Sequence, residues 1–395
     1  MLKINPMIAF KLAFKNLVGA GLRTWLNVSV LSFAFVVIVF YNGLLDGWNQ
    51  QARHDTIDWE TGNGELWHPL YDPYDPYCLQ DAHAPLSQDV SALVTGKQLT
   101  PILITQASIF PQGRIQNVLL KGIDPAQEII KIPSSRLIND ENAIPVVIGK
   151  RMAASAKLKE GDRVLLRWRD KNGTFDAGEI QVAGIFSANV PSIDNGQIWI
   201  SLQALQKMTG MENQATMFIA NKTYQNGNID KWVYKDMKFL MKDIDEVIQA
   251  KKASASIIYG LLLVIALLAI FDTQVLSIFR RQKEIGTYIA LGMTRSRVIG
   301  IFTIEGSAHS ILAILLGSVY GIPLLSYLGS IGIAMPKTTD SYGLAIADKI
   351  IPVYSMGMIL SSVLLVIISA TVVSYFPTRR ISKLNPTDAL KGKIQ

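Results

Sequence analysis

Four long apolar runs constrain this chain more than any other feature of its sequence. Thr24–Leu45 contains 22 residues without a charge, and a helix needs about 20 mainly apolar residues to cross a bilayer. Three further runs of similar character cover residues 253–278, 298–334 and 353–376. The sequence therefore predicts an α-helical membrane protein with four transmembrane helices.

The charges are distributed as in a multi-pass membrane protein. The segments 1–23, 279–298 and 377–395 together carry fourteen basic and two acidic residues, whereas residues 46–252 carry 22 basic and 25 acidic residues. Because short loops rich in Lys and Arg stay in the cytoplasm, this pattern predicts cytoplasmic termini and an extracytoplasmic 46–252. It gives no basic patch with interleaved aromatic residues, so it argues against nucleic-acid binding.

The 46–252 segment reads as a large, two-lobed α+β domain between transmembrane helices 1 and 2. Arg163–Trp168 and Glu179–Phe186 alternate apolar and polar residues around an Asn-Gly turn, which predicts a hairpin. Gly149–Leu158 and Ser201–Met208 have helical character. Asn228–Lys252 carries an apolar stripe without Gly or Pro, and we expect one stalk helix there that runs into the second span.

Three smaller segments complete the predicted topology. Residues 1–23 combine apolar side chains at helical spacing with cationic ones, which is typical of an amphipathic helix at the cytoplasmic membrane surface. Residues 335–352 form a short extracytoplasmic loop, and residues 377–395 form a cytoplasmic tail.

The basic segment Phe279–Val298 joins the second and third spans and has an apolar, small-residue centre. It contains Arg280-Arg281, then Lys283-Glu284-Ile285-Gly286, then Ala290-Leu291-Gly292 and further basic residues. This order resembles the cytoplasmic loop of the FtsX/MacB-type ABC permeases. The tail 377–390 resembles the ending of the same family, and parts of 46–252 resemble the MacB-like periplasmic core domain of lipoprotein-releasing permeases of the LolC/LolE type.

The resemblance implies a permease subunit in the bacterial inner membrane, paired with a second permease chain as a homodimer or heterodimer. In that family the 279–297 loop contacts an ABC ATPase, and the cargo is a lipoprotein, a peptide or a lipid handled outside the cytoplasm. The residues that match the family pattern, and that we expect to couple the chain to the ATPase, are Arg281, Lys283, Glu284, Ile285, Gly286, Leu291, Gly292 and Arg295.

The chain has no GxxxxGK[ST] phosphate-binding loop. We therefore expect no cofactor on this chain, with ATP and Mg²⁺ bound by the partner ATPase. With four histidines, one cysteine and no nucleophile–base set, we expect no enzyme activity of its own. An alternative function within the same family is regulation of a cell-wall hydrolase, as in FtsX proper.

Ionisable residues inside membrane spans are costly and are often functional. Glu305 and His309 are four residues apart and share one helix face, and Asp272 lies near the end of the second span. They form either an intramembrane polar seam, with Glu305 paired or protonated, or a metal or proton site. A metal-dependent membrane enzyme is thus a third hypothesis.

The stretch Trp59–Tyr77 concentrates aromatic residues, prolines and acids. Its rings form either a surface that binds a substrate or partner, or a cover over one lobe of the domain. The residues concerned are Trp59, Trp67, Tyr71, Tyr74 and Tyr77.

Overall fold

The computed structural model describes residues 22–138, 143–225, 227–334 and 349–383. The predicted helix over 1–23 and most of the predicted 335–352 loop and 377–395 tail lie outside these ranges. The chain forms two compact units. The first consists of the described residues within Met1–Gly47, Ile248–Ile333 and Ile351–Gln395, and the second of those within Trp48–Val247 and Ala334–Ile350.

In chain order the helices are α1 (Leu22–Thr56), α2 (Gln88–Thr95), α3 (Lys150–Ala156), α4 (Pro191–Asp194), α5 (Leu202–Thr209), α6 (Met237–Leu240), α7 (Lys242–Arg280), α8 (Gln282–Ala290), α9 (Arg295–Ile331) and α10 (Met356–Thr378). The strands are β1 (Glu65–Trp67), β2 (Ala84–Pro85), β3 (Leu99–Ile109), β4 (Gln116–Ile123), β5 (Ile144–Gly149), β6 (Arg163–Arg169), β7 (Phe175–Phe186), β8 (Gln197–Ser201), β9 (Gln214–Ala215), β10 (Met217–Ala220), β11 (Val233–Lys235), β12 (Ile333–Ala334) and β13 (Lys349–Ile350).

The first unit is built from the four long helices. Among the described residues, the regions of α1, α7, α9 and α10 are long and apolar enough to cross a membrane. Their shared core includes Leu31, Ile38, Ile270, Ala313 and Val366. The Nδ2 amide of Asn27 donates to the carbonyl of Ala269 at 3.0 Å, so a polar contact also joins α1 to α7.

The first membrane helix is longer than its uncharged run. Helix α1 continues past Leu45 as far as Thr56, because the polar residues after Leu45 carry no helix breaker other than Gly47. Lys252 donates to Asp46 at 2.6 Å, which pairs the charges of α1 and α7 next to their apolar segments.

The second unit is organised by one nine-stranded sheet of order β11-β1-β10-β3-β4-β8-β5-β7-β6, in which β6 also pairs with β3. The sheet is mixed, because β4–β8 and β5–β7 are parallel and the other pairs are antiparallel. Strands β6 and β7 form the predicted hairpin. Helices α3 and α5 confirm the two predicted helices, and the Ser201 hydroxyl accepts from the Ala204 amide as an N-cap.

The prediction of one continuous helix over Asn228–Lys252 is wrong in its first half. That part holds strand β11 and the short helix α6, and the long helix α7 begins only at Lys242. Asn228 Oδ1 accepts from the Tyr234 amide, a local bond that competes with helical ones before β11. Asp236 Oδ1 accepts from the Phe239 amide as the N-cap of α6 and so fixes where that short helix begins.

Candidate coupling site

The basic segment folds as a short helix between two long ones. Helix α7 ends at Arg280, helix α8 covers Gln282–Ala290, and α9 starts at Arg295. The turn after α8 needs a left-handed residue, and Gly292 supplies it with φ +89°. The Met293 amide donates to the carbonyl of Tyr288 at 3.0 Å and closes this turn.

The inner face of α8 packs against neighbouring parts of the same chain. Ile285 is fully buried with Ile278 of α7, Val298 and Phe302 of α9, and Ile381. Gly286 is also buried. These two predicted coupling residues therefore position the helix, and they do not form part of its free surface.

The outer face of α8 and the turn behind it are open to solvent. Lys283 and Glu284 are exposed on the helix, and Gly292 and Arg295 are exposed beside the turn. Leu291, directly after the helix, is 81% exposed. This surface, which we call the α8 tip, combines the apolar Leu291 with the cations Lys283 and Arg295 and the carboxylate Glu284.

Arg281 joins the short helix to the third membrane helix. Its Nη1 donates to both carboxylate oxygens of Glu305, at 2.9 and 2.8 Å, and its Nε donates to Glu284 at 2.7 Å. The guanidinium carbon lies 4.7 Å from the centroid of the buried Phe302 ring. A planar guanidinium suits this combination of two carboxylates and a ring face, which the point charge of a lysine would not.

Glu305 and Glu284 differ sharply in their surroundings. The Glu305 side chain is 11% exposed and that of Glu284 is 53% exposed. Arg281 is therefore the counter-ion of a buried carboxylate on α9, and its bond to Glu284 is at the solvent edge. Removing the cation would leave Glu305 as an uncompensated buried charge.

The three predicted intramembrane residues do not meet. Asp272 is exposed on α7, the Glu305 carboxylate is held by Arg281, and His309 Nδ1 lies 3.2 Å from the carbonyl oxygen of Gly306. A carbonyl oxygen can only accept, so Nδ1 carries the proton. Within the described parts of the chain, no three His, Cys, Asp or Glu side chains are grouped as metal ligands would be.

A different polar seam surrounds Gly306. Gln274 of α7, His309 of α9 and Ser374 of α10 are buried, and Gln274 Oε1, His309 Nε2 and Ser374 Oγ have no hydrogen-bond partner within the described structure. A Cβ atom on Gly306 would collide with Ser374 and approach Gln274 Nε2 to 2.9 Å. Glycine thus permits the close approach of three helices here.

The aromatic stretch of the second unit divides into packed and exposed rings. Trp59 stacks on Phe186 with centroids 5.6 Å apart, and Trp67 contacts Tyr71 edge-on at 5.2 Å. Tyr74 and Tyr77 are 79% and 85% exposed. Packing therefore accounts for the first three residues, whereas the two exposed tyrosines remain candidates for partner binding.

The match to a known protein family falls in the first unit, which contains the four long apolar helices. Residues 256–386 match the FtsX-like permease C-terminal family, a range that contains α8 and its contacts. An ABC transporter permease of Methanocaldococcus jannaschii is 24% identical over 66% of the chain and 66% of its own length. The lipoprotein-releasing system transmembrane protein LolC of Neisseria meningitidis serogroup B is 22% identical over 74% of the chain and 77% of its own length.

A third relative extends over nearly the whole chain. The macrolide export ATP-binding/permease protein MacB 2 of Yersinia pestis bv. Antiqua is 24% identical over 97% of the chain, which spans 58% of that longer protein. These comparisons show that the chain is similar to FtsX/MacB-type permeases. The similarity agrees with the resemblance seen in its basic segment.

One part of the site could not be found from the amino-acid sequence. The basic pair at 280–281 was visible, but its buried partner Glu305 is 24 residues away, across a turn whose shape the sequence does not reveal. A second set of residues was also missed. Arg167, Arg169 and Phe175 share the exposed face of the β6–β7 hairpin, and the alternation of RVLLRWR was the available signal.

Proposed function

We propose that this permease passes ATP-driven motion from a separate ABC ATPase to its 46–252 domain. The observation that carries this proposal is the two-sided character of α8. Its inner face is buried against α7 and α9, and its tip presents an 81%-exposed leucine beside the charged side chains of Lys283, Glu284 and Arg295. A groove on a partner protein can cover such a tip, and a force on the tip reaches the membrane helices through buried contacts.

In this proposal, Arg281 transmits movement of the short helix α8 to the membrane helix α9. Its Nη1 bonds to both carboxylate oxygens of Glu305 and so ties the start of α8 to α9, and the Phe302 ring beside the guanidinium restricts its movement. Buried charge-assisted pairs hold a defined geometry, so α8 and this part of α9 move together. Lys283, Glu284, Leu291 and Arg295 are the residues that we assign to ATPase contact.

Charge distribution supports the proposed orientation, with 46–252 outside and α8 inside. The relatives LolC and MacB are named for lipoprotein release and for macrolide export. We assign to the outer domain the handling of a cargo that is a lipoprotein, a peptide or a lipid. Exposed apolar stripes on the membrane helices favour a second permease chain together with lipid. One stripe lies on α7 at Ile257, Leu261, Ile265 and Leu268.

The test is purification of the tagged permease from its native membrane in mild detergent, followed by mass spectrometry. We expect an ABC ATPase to co-purify with the wild type, and the Leu291→Asp variant to lose at least nine-tenths of it. Leu291 has little packing to lose, so the variant should remain in the membrane at normal levels.

Ile115→Asp is the matched control, since Ile115 is 62% exposed on the other unit and should retain the ATPase. Equal ATPase recovery from wild type and Leu291→Asp would contradict the role of the α8 tip. A cell-wall hydrolase recovered in place of cargo would favour the regulatory alternative.

A further inference from the structure

An exposed face of the large sheet carries two rows of side chains that run across four strands. The first row consists of Asn117 on β4, Ser108 on β3, Arg167 on β6 and Ala177 on β7. In the second row, Leu119 on β4 is opposite Gln106 on β3, and Arg169 on β6 is opposite Phe175 on β7. Side chains on one face of paired strands contact their neighbours directly, so these rows form a continuous floor.

The turn of 3₁₀ helix at Pro76–Gln80 forms a wall above this floor. Gln106 Nε2 donates to the Pro76 carbonyl at 2.8 Å, and Arg169 Nη1 donates to Gln80 Oε1 at 3.3 Å. Floor and wall enclose a cleft of 560 Å³, a volume that is typical of ligand sites. Tyr77 stands on the wall with 85% of its surface exposed.

The cleft is positively charged. The guanidinium carbons of Arg167 and Arg169 lie 4.3 and 5.7 Å from the centroid of the Phe175 ring, which orders both side chains. Among the described residues lining the cleft, Asp170 is the one carboxylate. Its Oδ1 already accepts the backbone amides of Asn172 and Thr174, at 2.9 and 2.7 Å.

Arg167 forms no ion pair with any described carboxylate, and ring stacking leaves the edges of its guanidinium free. A carboxylate is the natural partner for such an edge. Tyr77 and Phe175, which is 60% exposed, offer ring faces to an apolar group beside that carboxylate. The floor between them also offers polar groups, because the Ser108 hydroxyl donates to Asn117 Oδ1 at 3.0 Å.

We propose that this cleft binds an acidic peptide segment that also carries an aromatic or aliphatic side chain. The peptide carboxylates contact Arg167 and Arg169, and its apolar side chain packs between Tyr77 and Phe175. Whether the peptide is cargo or part of a partner protein rests on the proposed transport function. The binding itself does not, because it requires neither the ATPase nor α8.

The experiment measures fluorescence anisotropy of a labelled ten-residue peptide of alternating glutamate and tyrosine, titrated with the full-length permease in detergent. We expect saturable binding that weakens as salt is added. The matched peptide with glutamine in place of glutamate should bind at least tenfold more weakly. The Arg167→Gln/Arg169→Gln variant should lose tenfold or more in affinity for the acidic peptide.

Arg163→Gln is the control, because Arg163 lies on the same face of β6 but pairs with Glu179 outside the cleft, at 3.9 Å. It should bind as the wild type does. Tyr77→Ser tests the opposite wall without disturbing the core and should weaken binding severalfold.

Three results would overturn the proposal: no saturable binding of the acidic peptide, equal binding of the glutamine peptide, or wild-type affinity in the double variant. Vesicles of anionic phospholipid form a separate arm. If they bind through Arg167 and Arg169 while the peptide does not, the cleft recognises lipid headgroups and the peptide assignment is wrong. Loss of ATPase from Leu291→Asp with intact peptide binding would separate this site from the coupling function.

Discussion

Arg281 has a central position among the polar residues of the permease, since it binds one buried and one exposed carboxylate. The two carboxylates differ in how much free energy they would lose without the guanidinium, because they differ in burial. The Glu305 side chain is mostly shielded from solvent and is paired with the guanidinium, whereas about half of the Glu284 side chain is exposed to solvent. A cation in this setting stabilises mainly by preventing an unpaired buried charge, so the outcome of a substitution depends on which partner is removed.

We expect Arg281→Met to be far more damaging than Glu305→Gln. The first leaves Glu305 buried without a counter-ion and should cost about 3–5 kcal/mol. The second leaves Arg281 with Glu284 and a neutral acceptor, and should cost about 1 kcal/mol. Thermal unfolding of both purified variants in detergent measures the difference, and equal losses would show that the pair acts symmetrically.

Glu65 in β1 should make the permease less stable as the pH rises. Its side chain is buried, and burial raises its pKa to about 8 despite the hydrogen bond from Trp67 Nε1. The folded protein therefore holds a proton that the unfolded chain releases near its ordinary pKa of 4.5. Stability is lost between these two values, on the order of 4 kcal/mol from pH 5 to pH 8.

Glu65→Gln should remove this loss, because the amide is neutral at every pH and its oxygen can still accept from Trp67. Denaturant unfolding followed by tryptophan fluorescence at several pH values provides the comparison. The difference between the two proteins isolates Glu65 from the nearby Lys121, whose pKa burial lowers. Parallel pH profiles for wild type and variant would show that Glu65 is ionised in the folded state.

At the scale of elements, the close approach of α7, α9 and α10 depends on one missing side chain. Gly306 lies against Ser374 and Gln274, and the polar atoms around it are buried without partners. Leaving buried polar groups unpaired costs free energy. The helices therefore gain little from polar bonding here, and tight packing must hold them together.

Gly306→Ala should destabilise the permease by about 1–3 kcal/mol, which is typical of overpacking. Ser374→Gly in the same chain should restore part of that loss by removing the atoms that collide. Gly300→Ala is the control on the same helix, where a Cβ meets nothing within 4 Å and the change should be neutral or slightly stabilising. Unfolding temperatures in detergent decide the comparison, and equal effects at both glycines would refute the packing argument.

For the whole molecule, the proposed orientation predicts different chemical access to its two units. Cys78 is the one cysteine in the sequence and lies in the second unit, partly exposed. A membrane-impermeant maleimide should label it in intact spheroplasts. In the Cys78→Ser/Leu291→Cys variant the same reagent should label only after the membrane is opened. Labelling of both thiols in sealed cells would contradict the topology.

Sequence alone predicted the parts of this fold that depend on local pattern. The four membrane helices follow from apolar runs, and the β6–β7 hairpin follows from alternation around Asn172-Gly173. The parallel pairing of β4 with β8 joins residues more than seventy positions apart, which no local pattern specifies. For the same reason Ile285 and Gly286 resembled surface residues until tertiary packing buried them.

The buried inner face of α8 determines how readily this helix can unfold locally. Ile285 packs among residues of α7 and α9, and the Met293 amide closes the following turn. Such a segment resists local melting, because opening it would expose a packed cluster. The amides of residues 285–290 should therefore exchange slowly with deuterium, both in the isolated protein and while the proposed partner ATPase hydrolyses ATP. Under the proposed coupling function, the short helix would then move as a stiff body, and nucleotide binding and hydrolysis would displace it without unfolding it.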